Sequence, residues 1–288
     1  MSKLVAVAGA TGYAGRFLVQ ELANRGYRVR ALVRSRTRAE TAGPHEAPAL
    51  KGLVNEWREG EITDPNFVSG ACLGADHVVS ALGVTRQKAS PWDVDYHANL
   101  RLLEDAEREG LQSFLYINVM HVDSGSSLIM RSKAAFAQSL ARSSVHHQII
   151  NPSGYLSDVS EFLAMAKHGV MVLPPAGEVR IAPIHGEDLA RFSVDKLTAA
   201  SGAWDVGGPD VFHYRDIAEA AAIAVGKDCK IITLPHGAVA AALWGARRIG
   251  GRTEMLAQFF ADGLTHDAIG ERYGEHHLQD FFKAAVKN

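Results

Sequence analysis

Three glycines near the start of the chain have a spacing that suits phosphate binding. A short apolar run at 3–8 leads into Gly9, Gly12 and Gly15, and an apolar-spaced helical pattern follows at 16–23. A strand, a glycine-rich turn and a helix in this order are typical of a dinucleotide pyrophosphate site, because the amino end of the helix presents unpaired amide groups to an anion.

Each glycine has a predicted role in this turn. Gly9 permits the tight turn, Gly12 lets the phosphates approach the backbone, and Gly15 lets helix and strand pack closely. The other turn residues of the predicted cofactor site are Thr11, Tyr13 and Ala14. The spacing is GxxGxxG rather than the more familiar GxGxxG, so a glycine-rich connection in another α/β protein is the competing interpretation.

The end of the second predicted strand, at 27–33, distinguishes NAD from NADP. Sites for NAD place a carboxylate near this point, where it binds the ribose 2′-hydroxyl group. This chain has Arg34, Ser35 and Arg36 instead. Guanidinium groups bind a 2′-phosphate well, so we predict NADP(H) in preference to NAD(H), with Arg34 as the main contact. Arg16 is a further candidate, and a solvated basic surface is the alternative explanation.

Strand and helix patterns alternate through the first half of the chain. Strands are predicted at 3–8, 27–33, 54–57, 76–82, 114–119 and 145–150, and helices at 94–109 and 128–142. This rhythm predicts an α/β fold, a Rossmann-type doubly wound parallel sheet with a smaller, mostly helical C-terminal substrate lobe. We assign residues 1–155 to an NAD(P)-binding domain and 156–288 to the lobe, with 181–206 returning to the sheet.

The rhythm changes after residue 152. Helices are predicted at 157–168, 186–197 and 214–225, and strands at 170–173, 178–181 and 204–206. The turn Gly207-Gly208-Pro209 is the predicted point at which the chain finally leaves the sheet.

Composition restricts the class of partner. The chain has 288 residues, 47% of them hydrophobic, and a net charge of −2, which argues against nucleic-acid or anionic-membrane binding. No apolar run approaches the ~20 residues of a membrane span. Cys72 and Cys229 form no disulfide framework, so a cytoplasmic location is expected.

We predict a small-molecule substrate and a monomer or homodimer. The histidines show no ligand spacing, since those in adjacent pairs such as His276 and His277 diverge, and no metal is predicted.

The order of the motifs resembles a known family. GATGYAGR after the first strand, LVR after the second and GEITD at 60–64 are similar to the atypical short-chain dehydrogenase/reductase superfamily, in its NmrA-like and divinyl-reductase-like branch. NPSGYLSD at 151–158, APIHGEDLA at 182–190 and VGGP at 206–209 extend the resemblance, which covers residues 3–235.

The resemblance implies positions for the cofactor. Glu61 and Ile62 would lie near the adenine. The residues implied along the pyrophosphate and ribose are Ser80, Ala81, Leu82 and Gly83. Those implied to border the nicotinamide are Pro152, Ser153, Gly154 and Tyr155.

The chain departs from the family at the catalytic motif. Short-chain reductases use Tyr-x-x-x-Lys, but here Ile129 precedes Lys133, and Asn118 and Val119 stand at the strand end where serine is usual. The resemblance implies that Lys133 anchors the ribose. Alternatively, Lys133 protonates the substrate if burial lowers its pKa, or it is a solvated surface lysine. Tyr155 is a weaker catalytic candidate, expected to make contact rather than to transfer a proton.

Two functions follow from these observations. The first is an NADP(H)-dependent oxidoreductase that transfers hydride between the nicotinamide and a small, largely apolar carbonyl, imine or activated-alkene substrate. The alternative is a non-catalytic regulatory protein that senses NAD(P)(H) and binds a partner. Sugar-nucleotide epimerase chemistry ranks last, because it relies on the absent tyrosine.

Overall fold

The alternating strands of the first half form one parallel sheet. The structure, a computed structural model, describes residues 2–84, 89–175, 179–235 and 237–287. Its strands are β1 (Leu4–Ala8), β2 (Arg28–Val33), β3 (Glu56–Glu59), β4 (His77–Ser80), β5 (Ser113–Ile117), β6 (His146–Pro152), β7 (Val170–Leu173), β8 (Arg180–Ile181), β9 (Gly202–Gly207), β10 (Phe212–His213), β11 (Lys230–Thr233) and β12 (Glu271–Arg272).

The eight-stranded sheet has the order β12-β9-β6-β5-β4-β1-β2-β3, with parallel pairing throughout. The chain runs from β1 outward to β3 and then returns to the other side of β1 to form β4. Strand order reverses there, and α/β proteins bind ligands at the carboxyl ends of strands on either side of such a reversal. The predicted doubly wound Rossmann-type sheet is confirmed.

Helices cover both faces of the sheet. They are α1 (Tyr13–Asn24), α2 (Arg36–Ala39), α3 (Pro65–Val68), α4 (Asn99–Arg108), α5 (Leu128–Ala141), α6 (Leu156–Val159), α7 (Glu161–Lys167), α8 (Gly186–Lys196), α9 (Tyr214–Val225), α10 (Gly237–Ile249), α11 (Gly251–Asp262) and α12 (Leu278–Lys287). Val5 and Val7 of β1 pack with α1 and α8, whereas Ala6 and Ala8 face α4 and α5. Within the described ranges, no helix has both the length and the apolar character needed to cross a membrane.

A π-helix at Trp92–Ala98 leads into α4. The helix predicted at 94–109 therefore consists of two parts with different windings. A π-helical turn rotates the following side chains relative to a regular helix, and such turns are frequent at functional sites.

Residues after 155 form most of a third hydrophobic core cluster, in which α7, α9 and α12 pack together. Beside it lie two small sheets, with β7 paired to β11 and β8 paired to β10. The helix predicted at 157–168 is divided at Ser160, whose hydroxyl donates to the Ser157 carbonyl at 2.7 Å. Of the strand predicted at 178–181, residue 178 lies outside the described residues. The division at residue 155 stays a prediction.

The sheet does not end at Gly207-Gly208-Pro209, so that prediction was wrong. Strand β12 returns to the outer edge, where Glu271 pairs with Val206. Gly270 adopts φ +65°, and a Cβ there would lie 2.7 Å from the Val206 nitrogen. The close approach of the two segments depends on glycine, and the strand consists of two exposed residues, so no apolar pattern marks it in the sequence.

Candidate functional site

The predicted cofactor residues lie at or just beyond the carboxyl ends of neighbouring parallel strands. Parallel strands end at the same edge of a sheet, so these residues share one side of the molecule. After β1 and β2 they are Gly9, Thr11, Gly12, Tyr13, Ala14, Gly15, Arg34, Ser35 and Arg36. After β3 and β4 they are Glu61, Ile62, Ala81, Leu82 and Gly83. After β5 and at the end of β6 they are Asn118, Val119, Pro152, Ser153, Gly154 and Tyr155. Lys133 reaches this edge from α5.

The glycine turn is tightly packed against the backbone. Gly9 has φ +75°, and a Cβ on it would lie 2.5 Å from the Ala81 carbonyl oxygen. A Cβ on Gly15 would collide with the Gly9 carbonyl. Gly12 is less crowded, because a Cβ on it would lie 3.3 Å from its nearest neighbour, the Gly9 carbonyl oxygen. Gly12 begins α1 without a capping side chain, which leaves the first amides of the helix for a ligand.

The residue that follows β2, Arg34, has an uncommitted guanidinium group. Arg34 is exposed, and within the described residues its side chain makes no hydrogen bond or ion pair. Arg36 is instead bound to Glu40 at 2.8 Å and lies over the Trp57 ring. The Ser35 hydroxyl accepts from the Arg38 backbone nitrogen and caps α2. Of the two arginines, Arg34 is therefore the one whose guanidinium is unpaired among the described residues, and the Ser35 O–H can still donate to an anion.

Arg16 does not join this group. Its side chain is buried and donates five hydrogen bonds to backbone carbonyl oxygens, of Thr11, Arg38, Ala39, Thr41 and Pro48. Burial lowers the pKa of this guanidinium. The prediction of Arg16 as a further phosphate ligand was wrong, because the glycine turn binds its Nε and the segment after β2 binds its other two nitrogens. Arg16 instead fixes that segment beside the glycine turn.

Lys133 lies in a buried polar cluster. Its ammonium group donates to the Leu82 carbonyl at 3.2 Å and to the Tyr116 hydroxyl at 3.3 Å, and its Nζ lies 3.2 Å from an Asp95 carboxylate oxygen. The alternative of a solvated surface lysine is therefore wrong. Ile129, one turn earlier, is buried in the core between sheet and helices and offers no polar group.

The charge state of Lys133 follows from these neighbours. Burial alone would lower the pKa of its ammonium group, but Tyr116 and the Asp95 carboxylate oppose burial, and the pKa is raised. An amine with a raised pKa is a poor proton donor near neutral pH. The raised pKa does not meet the condition for proton donation, which was a fall in the pKa of Lys133 on burial, and the role of Lys133 stays a prediction.

Asp95 and Tyr116 are residues that the sequence interpretation missed. The sequence did contain a signal for Asp95. Helical spacing places Asp95 on the same helical face as Asn99 and Leu102, and a polar residue on an apolar helical face is unusual. Tyr116 lies within an apolar strand, where an aromatic residue is ordinary.

A row of polar side chains crosses the ends of β5, β6 and β9. The Asn118 amide donates to Asn151 at 2.9 Å, and the Asn151 amide donates to Asp205 at 2.9 Å. The Asn118 side-chain oxygen is buried and lacks a partner among the described residues. Beside this row is a cleft of about 320 Å³, lined by Val119, His121, Val122, Asp123, Ser124, Asn151 and Asp205. The cleft adjoins the predicted nicotinamide residues and offers hydrogen-bonding groups.

Tyr155 is half-buried at the start of the segment after β6. Its ring lies 5.7 Å from that of Tyr13 in an edge-to-face arrangement, and its backbone bridges to Ile184. Burial, together with Asp158, raises the pKa of its hydroxyl. The hydroxyl therefore remains protonated, and the ring packs beside the glycine turn.

His185, Glu187 and His276 converge, although local spacing predicts no such group. Their candidate ligand atoms lie within 4.8 Å of one another, and the rings of His185 and His276 stack at 4.1 Å. His277 turns away to Asp210, as expected for an adjacent pair. The group fits a metal poorly, because Nδ1 of His185 accepts the Glu187 backbone N–H at 3.2 Å and so caps α8. The other nitrogen of a neutral ring then holds the proton.

A family model for NAD(P)H-binding proteins matches residues 9–200 of the 288 in the chain. The chain belongs to the NAD(P)H-binding family. The match begins at the first glycine of the turn and runs past β6 into the segment after α8. Membership agrees with the predicted class, an NAD(P)-dependent oxidoreductase of the atypical short-chain type.

Relatives of this family member span nearly its whole length. The divinyl chlorophyllide a 8-vinyl-reductase of Zea mays is 25% identical, over 98% of this chain and 79% of that protein. The NADPH-dependent quinone oxidoreductase of Escherichia coli, solved with NADPH, superposes with a TM-score of 0.75 at 18% identity, over 99% and 100% of the two chains. Triphenylmethane reductase of Citrobacter sp., solved with NADP(H), superposes with a TM-score of 0.73 at 17% identity, over 100% of this chain and 99% of that protein. The structural matches support the fold.

Proposed function

We propose that this protein is an NADP(H)-dependent reductase that transfers hydride to a small, largely apolar carbonyl, imine or activated alkene. The observation that supports it most is Arg34, an exposed guanidinium without a partner among the described residues, at the end of β2. A carboxylate at this point would repel a 2′-phosphate, whereas a guanidinium binds it through charge-assisted hydrogen bonds.

The residues along the strand ends fit the remainder of the cofactor. Packing does not require glycine at position 83, since a Cβ there would meet no described atom within 4 Å, and at position 12 a Cβ would meet the Gly9 carbonyl oxygen at 3.3 Å, a tight contact but not a collision. Close approach of a ligand explains glycine at both positions. The amino end of α1 suits the pyrophosphate, and the Lys133 ammonium group suits the ribose hydroxyls. When bound, the cofactor supplies the hydride, and the protein supplies orientation and charge.

The choice among substrate classes depends on which group supplies the proton that the substrate takes up during reduction. Position 129 holds isoleucine, and Lys133 is held as a cation by its buried neighbours. An activated alkene accepts hydride from the reduced cofactor at one carbon, and water can deliver the proton to the other carbon, so this substrate class tolerates the site best. A polar end of such a substrate would bind in the cleft beside Asn151 and Asp205.

The cofactor assignment is tested by titrating NADPH and NADH while following the fluorescence of the bound dihydronicotinamide. Replacing Arg34 with alanine should weaken NADPH about 10- to 100-fold and leave NADH little changed, since a hydrogen bond to a charged group is worth about 1.5–3 kcal/mol. Arg28→Ala is the matched control, because Arg28 lies at the opposite end of β2 and is paired with Glu56. Tighter NADH than NADPH binding by the parent protein would contradict the assignment.

The second candidate is a sensor of the NADP(H) state. It is favoured by the lack of a polar group on Ile129 and by the engagement of Lys133 with three protein partners. The two functions are separated by following NADPH oxidation with quinones, enones and aldehydes. Tight NADPH binding without turnover of any of these classes would favour the sensor.

A further inference from the structure

The ion pair between Asp95 and Lys133 is not explained by stability. The Asp95 side chain is fully buried, and neither of its carboxylate oxygens accepts a well-formed hydrogen bond from a described residue. Burying two charges costs more free energy than their attraction returns unless further hydrogen bonds satisfy them, and apolar residues in their place are often as stable or more so. Burial also raises the pKa of the Asp95 carboxyl, and the Lys133 ammonium group opposes that rise. A pair placed under these conditions calls for a reason other than stability.

Dedicated contacts hold Asp95 in place. The Asn99 amide donates to the Asp95 backbone carbonyl at 2.9 Å, and the Ser80 hydroxyl at the end of β4 donates to Asn99. These contacts fix the π-helix against the strand that ends beside the glycine turn. The carboxylate is thereby directed at Lys133 rather than at solvent.

We infer that Asp95 is a positioning residue of the NADP(H) site, whose carboxylate keeps the Lys133 ammonium group charged and directed toward the ends of β4 and β5. The inference rests on the proposed function. Lys133 already donates to the Leu82 carbonyl there, within the segment implied to follow the ribose. The other titratable groups near Lys133 are Tyr116 on β5 and Tyr155 in the segment after β6, and both are neutral hydroxyls at neutral pH.

The experiment is an NADPH titration from neutral pH to about pH 10, close to the ordinary pKa of lysine. In Asp95→Asn the lysine loses its anionic neighbour, so NADPH affinity should fall with rising pH about 1–3 pH units earlier than in the parent protein. Lys133→Met should bind weakly at every pH and lose this dependence. The matched control is Asp93→Asn, an exposed carboxylate on the same π-helix, which should behave as the parent protein does.

The outcomes distinguish this inference from the proposed function. If the parent protein binds no NADPH, the proposed function fails and the inference falls with it. If the parent binds NADPH and Asp95→Asn has the same affinity and pH profile, only the inference is overturned. Should Asp95→Asn fail to fold, the double variant with Lys133→Met removes both charges. It should fold and bind as Lys133→Met does, and a double variant that also fails to fold would show that Asp95 serves the fold.

Discussion

At the scale of single residues, buried histidines link the fold to pH. His77 begins β4 and its Nδ1 contacts the Ser113 hydroxyl at 2.7 Å. Burial, assisted by Lys3, lowers the pKa of His77 to about 4. Burial, assisted by His276, likewise lowers the pKa of His185 to about 4. Both rings are therefore neutral in the folded protein at a pH where they are partly protonated in the unfolded chain.

The expected consequence is a loss of stability in mild acid. Between about pH 6.5, the ordinary histidine pKa, and the folded-state values near 4, the unfolded chain binds more protons, so the free energy of unfolding falls as pH falls. Each histidine contributes a slope of up to about 1.4 kcal/mol per pH unit. Urea unfolding at several pH values measures how the free energy of unfolding depends on pH. His77→Gln should reduce the slope of that dependence. An equal slope in parent and variant would refute this account.

At the scale of elements, the turn between β1 and α1 requires glycine for different reasons at different positions. Gly9 needs its left-handed backbone, and Gly15 needs the absence of a side chain beside the Gly9 carbonyl. Both requirements come from the protein itself. The turn is therefore part of the fold before any ligand is bound.

Gly15→Ala should lower the free energy of unfolding by about 1–3 kcal/mol, because overpacking forces the backbone to shift. It should also weaken NADPH binding, since the same backbone forms the phosphate turn. Gly245→Ala is the control, because a Cβ in that helix would meet no described atom within 4 Å. This change should stabilise α10 by up to about 1 kcal/mol. Thermal unfolding of both variants measures the change in stability. Equal changes in Gly15→Ala and Gly245→Ala would refute the steric argument.

The elements also show what the sequence could predict. The strand at Leu4–Ala8 lies within one residue of its predicted range, because an apolar run buried on both faces is a strong local signal. The partners of Lys133 were missed, because Asp95 and Tyr116 come from other elements and meet it only after folding. Local spacing predicts which residues reach the edge of the sheet, but not which side chains pair there.

At the scale of the whole molecule, a buried carboxylate on α8 binds the segment that connects β12 to α12. Asp188 on α8 accepts from the backbone nitrogens of Glu275 and His276, at 3.2 and 3.0 Å, and from Arg191 at 3.0 Å. Its side chain is fully buried. Asp188 is thus the buried anchor between α8 and the segment that connects β12 to α12, and Tyr273 adds contacts of its own to Asp195 and Phe192 on α8.

Asp188→Ala should destabilise the protein by about 3 kcal/mol, because it leaves buried donors unpaired. Glu187→Ala, at the adjacent half-buried residue, should change stability by about 1 kcal/mol or less, because the Glu187 carboxylate is partly open to solvent. Chemical denaturation measures both. Equal stabilities of the two variants would show that the fastening does not depend on Asp188.

The late return of β12 to the sheet affects biosynthesis. Strand β9 is translated well before residues 271–272, which cover its outer edge at Val206 and Gly207. A nascent chain that has folded through β9 therefore presents unpaired backbone groups to its surroundings, and such an edge can recruit a strand from a neighbouring polypeptide. Val206 and Gly207 gain their edge partner only after residues 271–272 have left the ribosome.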